Sequence, residues 1–344
     1  MKLSMQMPYA GGFEQSVQQT VALEKAGLDI VYVAEAYSFD AVSAMGYIAA
    51  KTSTVEIASG ILPIYTRTPT LLAMTAAGLD HVSDGRCIMG LGASGPQVIE
   101  GFHGVKYDAP LGRTREIIEI CRKVWAREEK LTYDGKYYQL PLPPEQGTGL
   151  GKPLKPITHP RRADIPIMLG AEGPKNVALT AEIADGWLPI FYSPRIAPMY
   201  NEWLDEGFAR PGARRSRADF EICATAQVVV TDDRPAIMEL MKPHLALYMG
   251  GMGSEDTNFH AEVYRRMGYG DVVDEVTALF RSGRKDEAAA IIPDAVVDDA
   301  AIVGDTDYVR SKVREWEAAG VTTMLVSAGS VEQIEQVAEV VGNA

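Results

Sequence analysis

One local pattern recurs four times along the chain and limits the folds open to it: a helix end, a glycine, then a short apolar strand. It reads Leu23-Glu24-Lys25-Ala26-Gly27 before Ile30 to Ala34, and His81-Val82-Ser83-Asp84-Gly85 before Cys87 to Leu91. It returns as Glu182-Ile183-Ala184-Asp185-Gly186 before Trp187 to Ile190, and as Trp316-Glu317-Ala318-Ala319-Gly320 before Met324 to Ser327. Glycine suits the left-handed position just past a helix. Strands without polar alternation are buried on both faces, as in a parallel sheet covered by helices.

Four further strands fill the gaps: Leu3 to Met7, Val55 to Ile61, Ile165 to Leu169 and Ile222 to Val230. Helical stretches lie between them, among them Glu14 to Ala26, Pro69 to Val82, Arg113 to Trp125 and Pro174 to Ile183. Eight strands alternating with helices predict an α/β chain folded as a closed (β/α)8 TIM barrel rather than an open sheet. The whole chain of 344 residues reads as one barrel domain with two insertions, at about 128–164 and 232–305. The first insertion should hold a hairpin around Asp134-Gly135. The second is mostly helical, with a glycine-rich hinge at Gly250-Gly251-Met252-Gly253.

A net charge of −13 disfavours nucleic acid and anionic membrane surfaces as partners. The basic clusters Arg161-Arg162 and Arg210 to Arg217 read as solvated loops. Cys87, Cys121 and Cys223 are odd in number and far apart, which argues against a disulfide framework or zinc site and for a reducing compartment. The opening Met1 to Met5 has no signal-peptide character, and no apolar run is long enough to span a bilayer, so a cytoplasmic protein is expected.

Barrel enzymes carry their chemistry at the carboxyl ends of the strands. Those ends hold Pro8-Tyr9; Glu35-Ala36-Tyr37; Ser59 to Pro63; Gly90 to Pro96, with Gly92, Ala93 and Ser94; Gly170-Ala171-Glu172-Gly173-Pro174; Phe191-Tyr192-Ser193; and Ser327 to Ser330. Two of these loops share the form strand, small residues, Gly-Pro, helix, which lets backbone N–H groups approach an anion. The five histidines show no metal spacing, and only His103 falls near the rim, with Glu100 close by. No nucleophile-elbow, zinc-protease, Walker or Rossmann fingerprint is present, so hydrolysis and a Rossmann NAD site find no support.

The stretch Gly60-Ile61-Leu62-Pro63-Ile64-Tyr65-Thr66-Arg67-Thr68-Pro69 resembles the third-strand segment of the luciferase-like superfamily. The segments Asp80 to Arg86, Gly90 to Gly92, Ile165 to Ala171 and Ala184 to Trp187 resemble the same family's later units. The likeness is strongest to its deazaflavin-dependent branch, which includes methylenetetrahydromethanopterin reductase and an actinobacterial glucose-6-phosphate dehydrogenase.

That resemblance implies an oxidoreductase that uses coenzyme F420 to carry a hydride to or from a small organic substrate, and a homodimer. FMN, in a monooxygenase, is the alternative cofactor, and a non-catalytic flavin-binding barrel the alternative function. Gly60-Ile61 matches the family's non-prolyl cis peptide behind the ring, and Glu35 an acidic residue near it. Ala171, Glu172 and Gly173 match the backbone that holds the cofactor's phosphate side, and Phe191 to Ser193 a further cofactor-facing loop. The sugar-phosphate dehydrogenases carry a histidine where this chain has Ala36 and a glutamate where it has Pro96 or Gln97, which argues against glucose-6-phosphate. Glu35, Tyr37, Glu100 and His103 remain as candidates for proton transfer. Met241, Leu245, Leu247, Tyr248, Met249 and Met252 read as an adaptable lid favouring an apolar substrate, or as packing within the insertion.

Overall fold

The computed structural model describes residues 1–8, 12–252, 258–326 and 330–342. Eight parallel strands close on themselves: β1 (Lys2–Gln6), β2 (Ile30–Val33), β3 (Glu56–Ser59), β4 (Cys87–Gly92), β5 (Ile167–Gly170), β6 (Gly186–Leu188), β7 (Glu221–Thr225) and β8 (Thr323–Val326). Each pairs with its neighbours in chain order, and β8 returns to β1 through Leu3 opposite Met324. All eight lie where the apolar runs placed them. The expected closed barrel is therefore the fold observed.

Residues alternate across the wall. Ile30, Tyr32, Ala58, Ile88, Met168 and Cys223 point inward, with Leu188 and Leu325 against them. The few polar atoms among them pair with one another: the Tyr32 hydroxyl donates to Met168 Sδ at 3.3 Å, and Ser4 Oγ lies 3.5 Å from Cys223 Sγ. Strand residues of the opposite parity bury against the surrounding helices in the larger core. All three cysteines are buried and free.

Proline and glycine set the ends of the best-read helices. Pro69–Val82 starts at Pro69, with Thr68 Oγ1 accepting from Leu71 N at 3.2 Å, and Pro174–Ile183 starts at Pro174. Gly27, Gly85 and Gly320 have positive φ, as expected just past a helix. Gly186 does not. It sits inside β6, where a Cβ would meet Glu221 O at 2.7 Å and Met168 Cε at 2.9 Å, so close strand approach is what excludes a side chain there.

The stretch Ile222 to Val230 is not one strand. Glu221–Thr225 stays in the barrel, while Gln227–Val230 leaves it and pairs in parallel with Ala301–Gly304. Between these two short strands lies the helical insertion. Gly250 and Gly251 belong to its π-helical turn Leu247–Gly251, packed so tightly on Phe280 that a Cβ on Gly250 would meet Phe280 Cβ at 2.6 Å. They serve packing and form no hinge. Gly253 lies outside the described residues. In the other insertion, Tyr133–Asp134 and Gln139–Leu140 form the expected hairpin. Its turn is held by the Glu116 carboxylate, which accepts from the amides of Lys136, Tyr137 and Tyr138 at 2.8–2.9 Å.

The basic clusters are loops only partly solvated: Arg161 and Arg217 stay exposed, while others turn in to buried carboxylates. Arg162 grips the fully buried Asp80 carboxylate at 2.5 Å, and Arg214 and Arg215 converge on Asp185 at 2.8 and 2.7 Å. A buried carboxylate requires such a partner, and neither partner is near in sequence. No described helix is long and apolar enough to cross a membrane.

Candidate active site

At the end of β3 the Gly60-Ile61 peptide is cis. The chain then resumes pairing, with Leu62 and Pro63 opposite Leu91 and Gly92 of β4. The Ile61 carbonyl accepts from Glu35 N at 3.3 Å. The Ile61 side chain lies across the neighbouring strand ends: a Cβ on Gly92 would meet its Cγ1 at 3.1 Å, and one on Gly170 its Cγ2 at 3.4 Å. Gly92 is therefore held small by Ile61, while a Cβ on Gly170 would only reach ordinary contact with it. A Cβ on Gly60 would meet Tyr32 Cδ1 at 2.9 Å. The result is a low, apolar platform spanning three strand ends.

Glu35 is fully engaged. Its carboxylate takes both guanidinium nitrogens of Arg67, at 2.5 and 2.8 Å, and the Ala41 amide at 3.1 Å. Arg67 also reaches Asp40 at 2.8 Å, and hydrogen bonding to Glu35 raises the guanidinium pKa further. A bidentate pair of this kind fixes the β2 and β3 loops against each other. Arg67 was not singled out from the sequence, although a cation just before a helix start near a strand-end acid was the available signal.

Tyr37, Phe102 and His103 meet at the rim. The Tyr37 and Phe102 rings are 6.3 Å apart, and His103 stands edge-on to Phe102 at 5.1 Å. Tyr37 is 68% exposed and Phe102 65%. Between β4 and this corner, Ala93 is half-buried and Ser94 takes a left-handed backbone with φ of 60°. The Glu100 carboxylate accepts from Tyr107 N at 3.1 Å.

The β5 loop turns from Gly170 through Ala171, Glu172 and Gly173 into the helix at Pro174. The buried Ala171 carbonyl accepts from Trp187 Nε1 at 2.8 Å. No side chain caps the helix, and a Cβ on Gly173 would touch nothing within 4 Å, so its amino end opens on free space. Glu172 differs from expectation: its side chain, not only its backbone, is part of the site. Oε1 accepts from Ile190 N at 3.0 Å, while the buried Oε2 has no partner. Burial pushes the carboxyl up to about 8.

At the end of β6, Phe191 is left-handed with φ of 54° and packs edge-on to Tyr248 at 5.0 Å, with Tyr264 at 5.0 Å. Tyr192 corrects the sequence reading. Its side chain is turned away from the mouth into the helix layer, stacked on Tyr200 at 5.8 Å, with its hydroxyl donating to Ala319 O at 2.7 Å. Of the lid residues, Met241, Leu245 and Met249 are buried, and Tyr248 packs its ring on a strand-end residue, Phe191. Tyr9 and Ser327 to Gly329 lie outside the described residues. The described residues contain no cluster of three potential metal ligands.

The family model described as luciferase-like monooxygenase matches residues 2–323. The chain belongs to that family. Within the family, it is 63% identical, over 99% of both chains, to a Mycobacterium tuberculosis protein provisionally named a coenzyme F420-dependent oxidoreductase. It is 29% identical to the 5,10-methylenetetrahydromethanopterin reductase of Archaeoglobus fulgidus, over 89% of this chain and 86% of that one. The solved F420-dependent tetrahydromethanopterin reductase of Methanopyrus kandleri superposes with a TM-score of 0.82 at 22% identity, covering 99% of this chain and 98% of that one. That match establishes the shared barrel.

Proposed function

We propose that the chain is a coenzyme F420-dependent oxidoreductase that passes a hydride between the deazaflavin and a small, apolar organic substrate. The observation that carries this reading is the cradle itself. Ile61 lies over the bare Gly92 and Gly170, beside an uncapped helix start at Gly173-Pro174, in a chain 63% identical to a protein named for F420. A flat ring fits the platform, and a phosphate fits the helix amides. The bound coenzyme would supply the hydride chemistry, and the protein supplies position and electrostatics.

Gly60, Ile61, Gly92, Ala93, Ser94 and Gly170 would hold the ring, and Ala171, Glu172 and Gly173 the phosphate side. Phe191 walls the mouth on the insertion side. Glu35 fixes the β2 loop through Arg67, so proton transfer falls to the Tyr37–His103 corner. The exposed rings of Tyr37 and Phe102 support an apolar substrate. Titration with F420 and with FMN tests the reading: micromolar F420 binding with weaker FMN binding is expected. Tight FMN binding without F420 binding would favour a monooxygenase instead.

We also propose a cytoplasmic homodimer. Leu71, Met74 and Val82 form one exposed stripe on helix Pro69–Val82 and need a cover. Light scattering at micromolar concentration should return twice the chain mass, and a monomer would refute the proposal.

A further inference from the structure

Among the described residues, the buried polar atoms without a hydrogen-bond partner include Glu172 Oε2, Tyr200 Oη, His260 Nδ1 and Tyr264 Oη. Two of them, Tyr264 and His260, gather on one ring near the β6 end. Tyr264 and His260 pack on Phe191, with ring centroids 5.0 and 6.1 Å from it, and Phe191 follows the Ile190 amide that Glu172 binds. Each buried polar atom without a partner calls for a physical explanation. Glu172 is the one that stands two residues before the open helix start.

We propose that Glu172 is a proton-linked positioning residue: as the neutral acid it ties the β5 loop to the β6 loop and keeps the anion cradle at Gly173-Pro174 in its binding shape. The identity of the anion rests on the F420 reading above; the tie between the loops does not. Two hydrogen bonds define the tie. Oε1 accepts from Ile190 N at 3.0 Å and Arg266 Nη1 donates to the Glu172 backbone carbonyl at 3.2 Å, while the buried Oε2 has no hydrogen-bond partner. A neutral acid tolerates burial of that oxygen. A carboxylate there would carry charge on a buried oxygen that has no partner, two residues before the proposed anion cradle.

The groups around it are few. Arg266, from helix Phe259–Arg266, acts to lower the Glu172 pKa and is itself paired with Glu262 at 3.3 Å. Tyr200, from helix Ala197–Phe208, has its own pKa raised, mainly by burial and next by Glu172. The β6 loop contributes only the Ile190 amide. Burial outweighs both the amide and Arg266 and pushes the carboxyl up from 4.5 to about 8. The unfolded chain releases this proton near its ordinary value, and the folded chain keeps it to about 8. Stability from this group is therefore full below pH 4.5, falls as pH rises between the two values, and is level above them.

The experiment compares wild type with Glu172→Gln, whose amide keeps the neutral shape and cannot ionise. Affinity for F420 is measured from roughly pH 6.5 to 9.5, and thermal unfolding without ligand from roughly pH 5 to 9. Titration of the coenzyme is common to both proteins and cancels in the ratio. Wild-type affinity should fall at least about ten-fold relative to the Gln variant across the upper range, as the competent neutral fraction is depleted. The unfolding midpoints of the two proteins should diverge with rising pH up to about 8 and then run parallel. Arg266→Met should move the wild-type transition to higher pH, which keeps the test open if the Gln variant does not fold. Parallel pH profiles in both measurements would overturn the proposal. Failure to bind F420 at any pH would sink the coenzyme assignment alone, because the ligand-free unfolding curves still report on the tie.

Discussion

The two ends of the barrel are built by opposite rules. At the end where the strands begin, every notable carboxylate is answered. Glu24 accepts from the amides of Ser53, Thr54 and Val55 at 2.6–2.9 Å, Asp29 from Leu3 N at 2.8 Å, and Asp80 and Asp185 are gripped by arginines. At the end where the strands finish, Ser94 and Phe191 have left-handed backbones, Glu172 keeps an unpaired oxygen, and Tyr37 and Phe102 are left uncovered. The first end answers its buried carboxylates and holds the fold, although Arg122 Nε beside Asp185 has no hydrogen-bond partner. The second pairs Glu35 but leaves Glu172 Oε2 unpaired and two aromatic rings uncovered, as a surface awaiting a ligand does.

The comparison breaks most visibly at Asp80. Asp80→Ala should strand Arg162 and cost about 3 kcal/mol of stability, read by chemical denaturation, because one partner of a buried pair is removed. F420 affinity per folded molecule should not change. A variant as stable as wild type, or a folded one that has lost affinity, would show that the two ends are not separable. The next largest effect is expected at Gly92. Gly92→Val should push Ile61 out of place and weaken F420 binding about ten-fold, near 1.4 kcal/mol. Unfolding should shift by less than that, and a larger loss of stability than of affinity would return Gly92 to the structural end of the comparison. The smallest change in stability belongs to His103, half-buried at the rim. His103→Asn should leave stability within about 0.5 kcal/mol while lowering turnover and altering its pH profile. Unchanged turnover across pH would remove His103 from proton transfer.

Legibility followed range. The helices Pro69–Val82 and Pro174–Ile183 were readable to the residue because proline and the residues around it act locally. The eight strands were readable because burial on both faces leaves unbroken apolar runs. Gly186 looked like a helix-end glycine and proved to be a strand glycine, since its reason lies on the neighbouring strands β5 and β7. The arginine clusters looked solvated because Asp80 and Asp185 are distant in sequence. In the site, the Gly60-Ile61 bulge and the small residues of the β4 and β5 ends were legible from a resemblance. The Arg67 clamp, the inward turn of Glu172 and the outward turn of Tyr192 were not. Each depends on what a different loop or helix places opposite, and no local pattern records that.

The parting of the seventh strand has a consequence for how such chains can change. The helical insertion leaves along Gln227–Val230 and returns along Ala301–Gly304, and these two runs are laddered to each other outside the barrel wall. The ladder brings the ends of a long excursion side by side, so the barrel does not bear the entropic cost of closing that loop. The insertion is thus a replaceable cassette on a fixed socket. Its helices can be lengthened, shortened or re-lettered while the eight-strand frame stays as it is.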